Sequence, residues 1–307
     1  MYNYPDTTWG NIMVRFVTTL LAAFVVTLGA ANAQSALVKR GDYLVNGLLT
    51  CGNCHTPKGP TGDIMDKAFS GFLEFDEPPF KVTAPNITQD KETGIGTWSA
   101  ADIRKLLRTG VRPNGVTIAT IMPTGFYDII TKKDMDAIVA YVQTLKPIKN
   151  KVPDPIYKMP QVRQIFTGAE KPYTEAMFSD RLKHGFYLAT IAHCMECHTP
   201  MEKGVRQFKT RLSTGDFEFK GPWGVSVSSN ITQSKTKGIG AWTDRDQACH
   251  HDRGQQGRQQ AQAADGLPLL FHADCRRPRC RGGLSAYGAG EGVAQSSPGR
   301  RISAESR

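Results

Sequence analysis

Apolar side chains in this chain recur in short helical stretches separated by long runs rich in glycine, proline and polar residues. Residues 39–50 pattern as a helix that runs straight into a cysteine at position 51. The Gly/Pro-rich stretch 57–97 predicts mostly loop. Ser99 and Asp102 then form a capping box opening a helix over 101–109, whose Ile103, Leu106 and Leu107 share one face. Thr131 and Asp134 cap a further helix in which Met135, Ile138, Val139 and Val142 repeat at helical spacing. Pro147, Pro153, Pro155 and Pro160 follow and predict a linker.

The pattern repeats. Gly41-Asp-Tyr43-Leu44 returns as Gly185-Phe-Tyr187-Leu188, and Asn86-Ile-Thr88 as Asn230-Ile-Thr232. Gly94-Ile-Gly96-Thr-Trp98 returns as Gly238-Ile-Gly240-Ala-Trp242, at the same offset of 144. Asn86-Ile-Thr88 has the form of a glycosylation acceptor, but its recurrence beside the glycines marks it as an element of the fold. Each repeat spans about 100 residues, small enough that a bound group should supply much of its core. Trp98 and Trp242 are expected to pack on helices rather than on that group.

The N-terminus carries a different signal. Arg15 precedes an apolar stretch from Phe16 to Leu28, and Ala31-Asn32-Ala33 offers a small-x-small cleavage pattern before Gln34. The stretch falls short of the ~20 residues needed to span a bilayer, so a cleavable export signal is expected over residues 1–33. Residues 1–12 do not resemble the start of such a signal, and Met13 is the expected initiator. From Gln34 to Asp246, 28 Lys and Arg against 22 Asp and Glu leave a net charge of +6. That balance suits solubility or the steering of an acidic redox partner equally. Basic and aromatic residues are not interleaved as in a nucleic-acid surface, so no nucleic acid is expected as a partner.

The chemistry lies in two pentapeptides, Cys51-Gly-Asn-Cys54-His55 and Cys194-Met-Glu-Cys197-His198, with 143 residues between corresponding positions. Zinc would require a second ligand pair near each, and a redox disulfide would require neither the histidine nor the duplication. Cys-x-x-Cys-His is the attachment signal for c-type haem. The two thiols form thioethers to one porphyrin and the histidine ligates its iron. Cys51, Cys54, Cys194 and Cys197 are thus candidate haem attachment points, with His55 and His198 as proximal ligands. Met122, in Ile121-Met122-Pro123 between the two capped helices, is the candidate distal ligand of the first haem. Met65, Met135 and Met159 are less suitably placed. A thioether would raise the reduction potential, and an iron with both axial positions filled carries electrons rather than catalysing a reaction.

The second repeat departs from the first after Asp246. Thr243 and Asp246 offer its capping box, yet residues 247–307 contain nine Arg, no Lys, seven Gln and three Cys without helical periodicity. Such a composition predicts a disordered tail. It also fits a segment translated out of frame. A synonymous coding of His250 to Phe271, read one nucleotide later, can supply the counterparts of Thr109-Gly-Val111, Gly115, Met122 and Tyr127 without a gap. As written, the second iron lacks a Met at the equivalent place. Met201 follows His198 too closely to reach the opposite face. That iron is expected to be five-coordinate, or ligated by water or by His250, His251 or His272.

With these motifs in hand, the chain resembles dihaem c-type cytochromes, in particular the cytochrome c subunits of periplasmic dehydrogenases of the quinoprotein alcohol and molybdenum hydroxylase types. The resemblance covers residues 36–246. It implies a mostly α fold of two tandem cytochrome c-like domains, 36–148 and 176–246, joined by a Pro-rich linker at 149–175, the second domain being truncated. It implies two covalent haem c groups, a periplasmic dehydrogenase as electron donor and a downstream cytochrome or oxidase as acceptor. Export to the periplasm is expected, with any membrane association coming through partner subunits. The chain itself is expected to be an electron carrier and not an enzyme. The competing function is a haem enzyme such as a dihaem peroxidase, which needs an open iron.

Overall fold

A computed structural model describes residues 34–60, 62–202, 204–221 and 224–243. The export signal, the 247–307 tail, the Thr243–Asp246 capping box and His250, His251 and His272 fall wholly or partly outside these residues. Helix α1 covers 34–42 and continues as a π-helical turn, Tyr43–Leu48, that buries Leu44 and Val45. It leads, as expected, into the one-turn helix α2 (Gly52–His55). The π turn has a visible cause. Six residues separate Leu44 from Cys51, but only five separate the corresponding Leu188 from Cys194. A π-helix absorbs one extra residue without breaking the helix. Accordingly Leu49 N donates to Leu44 O five residues back, whereas Ala192 N donates to Leu188 O four back.

Helix α3 (Ala100–Thr109) carries the full capping box. Ser99 accepts from the Asp102 amide at 3.2 Å, and the Asp102 carboxylate accepts from the Ser99 amide at 2.9 Å. Gly110, at φ 68°, ends it in the left-handed region. Helix α4 (Lys132–Val142) buries Met135, Ile138, Val139 and Val142, the stripe the spacing predicts. Its cap is only half a box: Thr131 accepts from the Asp134 amide, while the Asp134 carboxylate turns inward to other partners. α1 crosses α4 at close range. A Cβ on Gly41 would lie 2.0 Å from the Ala137 carbonyl oxygen, so only glycine permits the crossing.

The stretch 57–97 is less irregular than its composition suggests. It contains two antiparallel hairpins, β1 (Lys58–Gly59) with β2 (Gly62–Asp63), and β3 (Glu74–Glu77) with β4 (Phe80–Thr83). Sequence patterning missed them because strands of two to four residues carry too little alternation to register. The architecture is therefore short helices braced by small hairpins rather than helix and loop alone.

The Pro-rich segment is built into the first repeat. β5 (Ile156–Tyr157) adds to β4, Phe166 and Ala169 are buried, and Arg163 pairs with Asp128 at 2.9 Å. The chain then enters α5 (Arg181–Ile191), capped by Asp180, and the one-turn helix α6 (Cys194–His198). Hairpins β6 (Met201–Glu202) with β7 (Val205–Arg206), and β8 (Glu218–Gly221) with β9 (Gly224–Val227), reproduce β1–β4 in order and register. One hydrophobic cluster runs through both halves. It joins Leu44, Ile103, Tyr127 and Ile138 to Tyr187 and Ile191. Trp98 packs against the same cluster. Among the described residues no helix is long and apolar enough to cross a membrane.

Candidate functional site

Each Cys-x-x-Cys-His run sits on a single helical turn entered through a strained residue. Thr50 precedes Cys51 at φ 47°, and His193 precedes Cys194 at φ 42°. A side chain in this left-handed region is uncommon, and its occurrence at both entrances marks a shared geometry. One turn of helix brings the two thiols of each run to the same side, with the histidine next in line.

His55 is nearly fully buried, and its Nδ1 lies 2.7 Å from the Pro85 carbonyl oxygen. A carbonyl can only accept, so Nδ1 carries the proton and Nε2 presents its lone pair. His198 repeats the arrangement, with Nδ1 2.7 Å from the Ser229 carbonyl oxygen. Pro85 and Ser229 are themselves 144 positions apart.

Glycine makes this approach possible. Gly71 (φ 88°) donates to His55 O at 2.7 Å, and Gly215 (φ 79°) to His198 O at 2.8 Å. A Cβ at Gly71 would meet the Ala84 oxygen and Asn86 nitrogen at 2.7 Å, and one at Gly215 would meet the Ser228 oxygen at 2.5 Å. The Asn-Ile-Thr elements lock the returning strand. The Asn86 amide oxygen accepts from Thr88 N at 2.9 Å and Thr88 Oγ1 at 2.7 Å, and Asn230 holds Thr232 at the same two distances. Asn86 is buried, so its triplet serves the fold and offers no surface for a glycan.

Neither cysteine pair is joined in a disulfide. Burial pushes the Cys51 thiol up to about 12 and Cys197 to about 11, and it raises Cys54 and Cys194 as well. Burial lowers the His55 pKa, opposed by its bond to Pro85, and keeps the imidazole neutral as a metal donor must be. The donor set therefore fits an iron porphyrin at each place. At each, two thiols stand ready for thioether formation and an imidazole is oriented through its Nδ1 bond to a backbone carbonyl.

Met122 lies in the turn between α3 and α4, half-buried against the core cluster. Its amide donates to Ala119 O at 3.1 Å, and its carbonyl accepts from Thr124 N at 2.7 Å. Met135 is committed to the core at 2% exposure, while Met65 and Met159 are exposed. Met201 lies exposed in β6, three residues past His198.

Sequence reasoning missed the carbonyls of Pro85 and Ser229, because backbone acceptors leave no trace in residue identity. It also missed the join between the repeats. Tyr187 donates to Asp134 at 2.6 Å, and Asp134 accepts two bonds from Arg40 at 2.8 and 2.9 Å. Tyr187 and its repeat partner Tyr43 are identical by sequence, and only packing distinguishes them.

Residues 38–146 match the cytochrome c family. The chain is 30% identical over 242 residues to the cytochrome c subunit of a quinone alcohol dehydrogenase from Gluconobacter oxydans, covering 74% of this chain and 49% of that one. It is 32% identical over 248 residues to the gluconate 2-dehydrogenase cytochrome c subunit of Pantoea cypripedii, covering 74% and 54%. A diheme cytochrome c-type protein of Cereibacter sphaeroides is 28% identical over 195 residues, covering 60% and 64%. The chain thus spans about half the length of the dehydrogenase subunits it matches.

Proposed function

Residues 38–146 form a cytochrome c domain, and on that premise we propose that the whole chain is a two-haem electron carrier exported to the periplasm. It takes electrons one at a time from a dehydrogenase and passes them to a downstream cytochrome or oxidase. Cytochrome c domains hold haem covalently, and the single observation carrying the extension to a second haem is the duplicated histidine geometry. Both imidazoles give Nδ1 to a backbone carbonyl at 2.7 Å, 144 positions apart, from the turn that also carries two free thiols.

In this assignment Cys51 and Cys54 hold one haem and Cys194 and Cys197 the other. His55 and His198 would each hold an iron, and Met122 would supply a thioether to the first. The haems supply one-electron chemistry when bound. The chain orients each imidazole through Pro85 or Ser229 and excludes water from His55 by burial, and a Met122 thioether would raise the potential of the first iron. A dehydrogenase partner is supported by relatives whose names assign them to alcohol, gluconate and fructose dehydrogenases.

The test is haem stoichiometry in a host that matures c-type cytochromes. Acid–acetone extraction should leave all colour on the polypeptide, with two haems per chain by mass. Rapid reduction by a co-expressed quinone-dependent dehydrogenase and its substrate should follow. Extractable colour would overturn covalent attachment. Peroxide turnover well above that of free haem, without reduction by such a partner, would favour a haem enzyme.

A further inference from the structure

The two attachment turns touch each other. His193, immediately before Cys194, places Nε2 3.5 Å from the carbonyl oxygen of Leu49, two residues before Cys51. Its Nδ1 lies 3.1 Å from the Glu196 carboxylate inside the second Cys-x-x-Cys-His run. Either tautomer of the ring can serve one of these acceptors, and the imidazolium both.

Two further features show that the position is built rather than incidental. His193 occupies a left-handed backbone conformation at φ 42° and ψ 34° that a β-carbon disfavours. Its ring sits 6.5 Å from that of Phe126, which stacks with Phe166 and meets Phe208 edge-on, so the imidazole lies beside an aromatic cluster drawn from both repeats. The corresponding position in the first repeat is Thr50, whose short side chain cannot bridge the gap from the other side.

We propose that His193 is a positioning residue that ties the two haem-attachment turns into one rigid relay and shortens the bonded path between them. The path runs from Cys51 back through Thr50 to the Leu49 carbonyl, across the hydrogen bond to the His193 ring, and on to the adjacent Cys194. The inference rests on the two-haem function above and deepens it. The step it serves is a one-electron exchange in which one ferrous iron is oxidised as the other, ferric, iron is reduced. No proton moves and no bond changes.

The test uses the full-length, two-haem protein. Circular dichroism in the Soret region reports coupling between nearby haems independently of any turnover, and flash reduction of one site reports the exchange rate. Wild type should show a two-signed Soret couplet. His193→Gly relieves the backbone strain while deleting the ring, and should collapse the couplet and slow exchange roughly tenfold at unchanged haem content. His193→Gln, whose amide can still donate to Leu49, should retain most of both. A wild-type chain with two haems and no couplet overturns this inference alone. So does a His193→Gly protein with wild-type couplet and rate. A wild-type chain holding a single haem overturns the two-haem function itself, and this inference with it.

Discussion

The phenol of Tyr187 donates to the carboxylate of Asp134 at 2.6 Å, joining the second repeat to the capped end of α4 in the first. Both side chains are buried, at 0% and 3% exposure, and Arg40 closes the cluster with two bonds to the same carboxylate. Burial and the adjacent carboxylate push the Tyr187 pKa far above its ordinary value, so the phenol remains a donor throughout the working pH range. Tyr187→Phe should cost about 1.5–3 kcal/mol, the range for a hydrogen bond to a charged group. Denaturant unfolding of the holoprotein would read that loss. Hydrogen exchange should rise first in α5, which the bond anchors.

Gly41 and Gly185 occupy the same place in the two repeats but should respond oppositely to alanine. Gly41→Ala would drive a Cβ into the Ala137 carbonyl and the Tyr141 side chain, costing about 1–3 kcal/mol or more. Among the described residues nothing lies within 4 Å of a Cβ at Gly185. Because that site is inside a helix, Gly185→Ala should be neutral or stabilise by ~0.5 kcal/mol. Equal destabilisation of both variants would contradict this asymmetry.

Met122→Ala should abolish the long-wavelength sulfur-to-iron absorption of the ferric first haem and lower its reduction potential, leaving haem content unchanged. Met135→Ala should instead destabilise the fold by about 2–5 kcal/mol without altering that absorption. Optical spectra and a redox titration of the two variants separate a ligand from a core methionine.

Asp136 ties α4 to α3 through Arg104 at 2.8 Å and pairs along its own helix with Lys132 at 2.7 Å. The hydrogen bond from Lys132, with that from Arg104, holds its carboxyl below the ordinary 3.8. A carboxylate depressed in the folded state resists protonation that the unfolded chain accepts. Its contribution is therefore complete above pH 3.8 and is lost as pH falls through the lower folded value. Asp136→Asn should lower the melting temperature slightly near neutrality and flatten the acid limb of its plot against pH, the difference from wild type vanishing at low pH. The partly exposed setting keeps the effect small.

Restoring the reading frame near Gln247 should give the second repeat the counterpart of Met122. The corrected protein should then show two low-spin, Met-ligated signals where the present chain should show one. Sequencing the gene offers an independent check, because native codons whose shifted frame does not encode this repeat would remove the basis for the prediction.

The sequence alone determined what depends on neighbours along the chain. The Cys-x-x-Cys-His runs, the Ser99–Asp102 capping box, the apolar stripe of α4 and the internal repeat were all legible because each is a short-range pattern with a fixed chemical meaning. The Asn-Ile-Thr triplets were recognisable as fold elements, though not as the clasp that returns Pro85 and Ser229 to their histidines. Short hairpins escaped because two to four residues carry no usable periodicity.

Tertiary structure alone decided how two repeats built on the same motifs came to differ in their packing. Tyr43 is 52% exposed and its counterpart Tyr187 is fully buried, although both stand in the same Gly-x-Tyr-Leu frame. Thr50 and His193 share a strained backbone, yet only His193 reaches across to the other repeat. Duplication copies local chemistry to both halves. When one half packs on the other, the contact buries one set of side chains and leaves the equivalent set facing solvent, and that choice is written only in three dimensions.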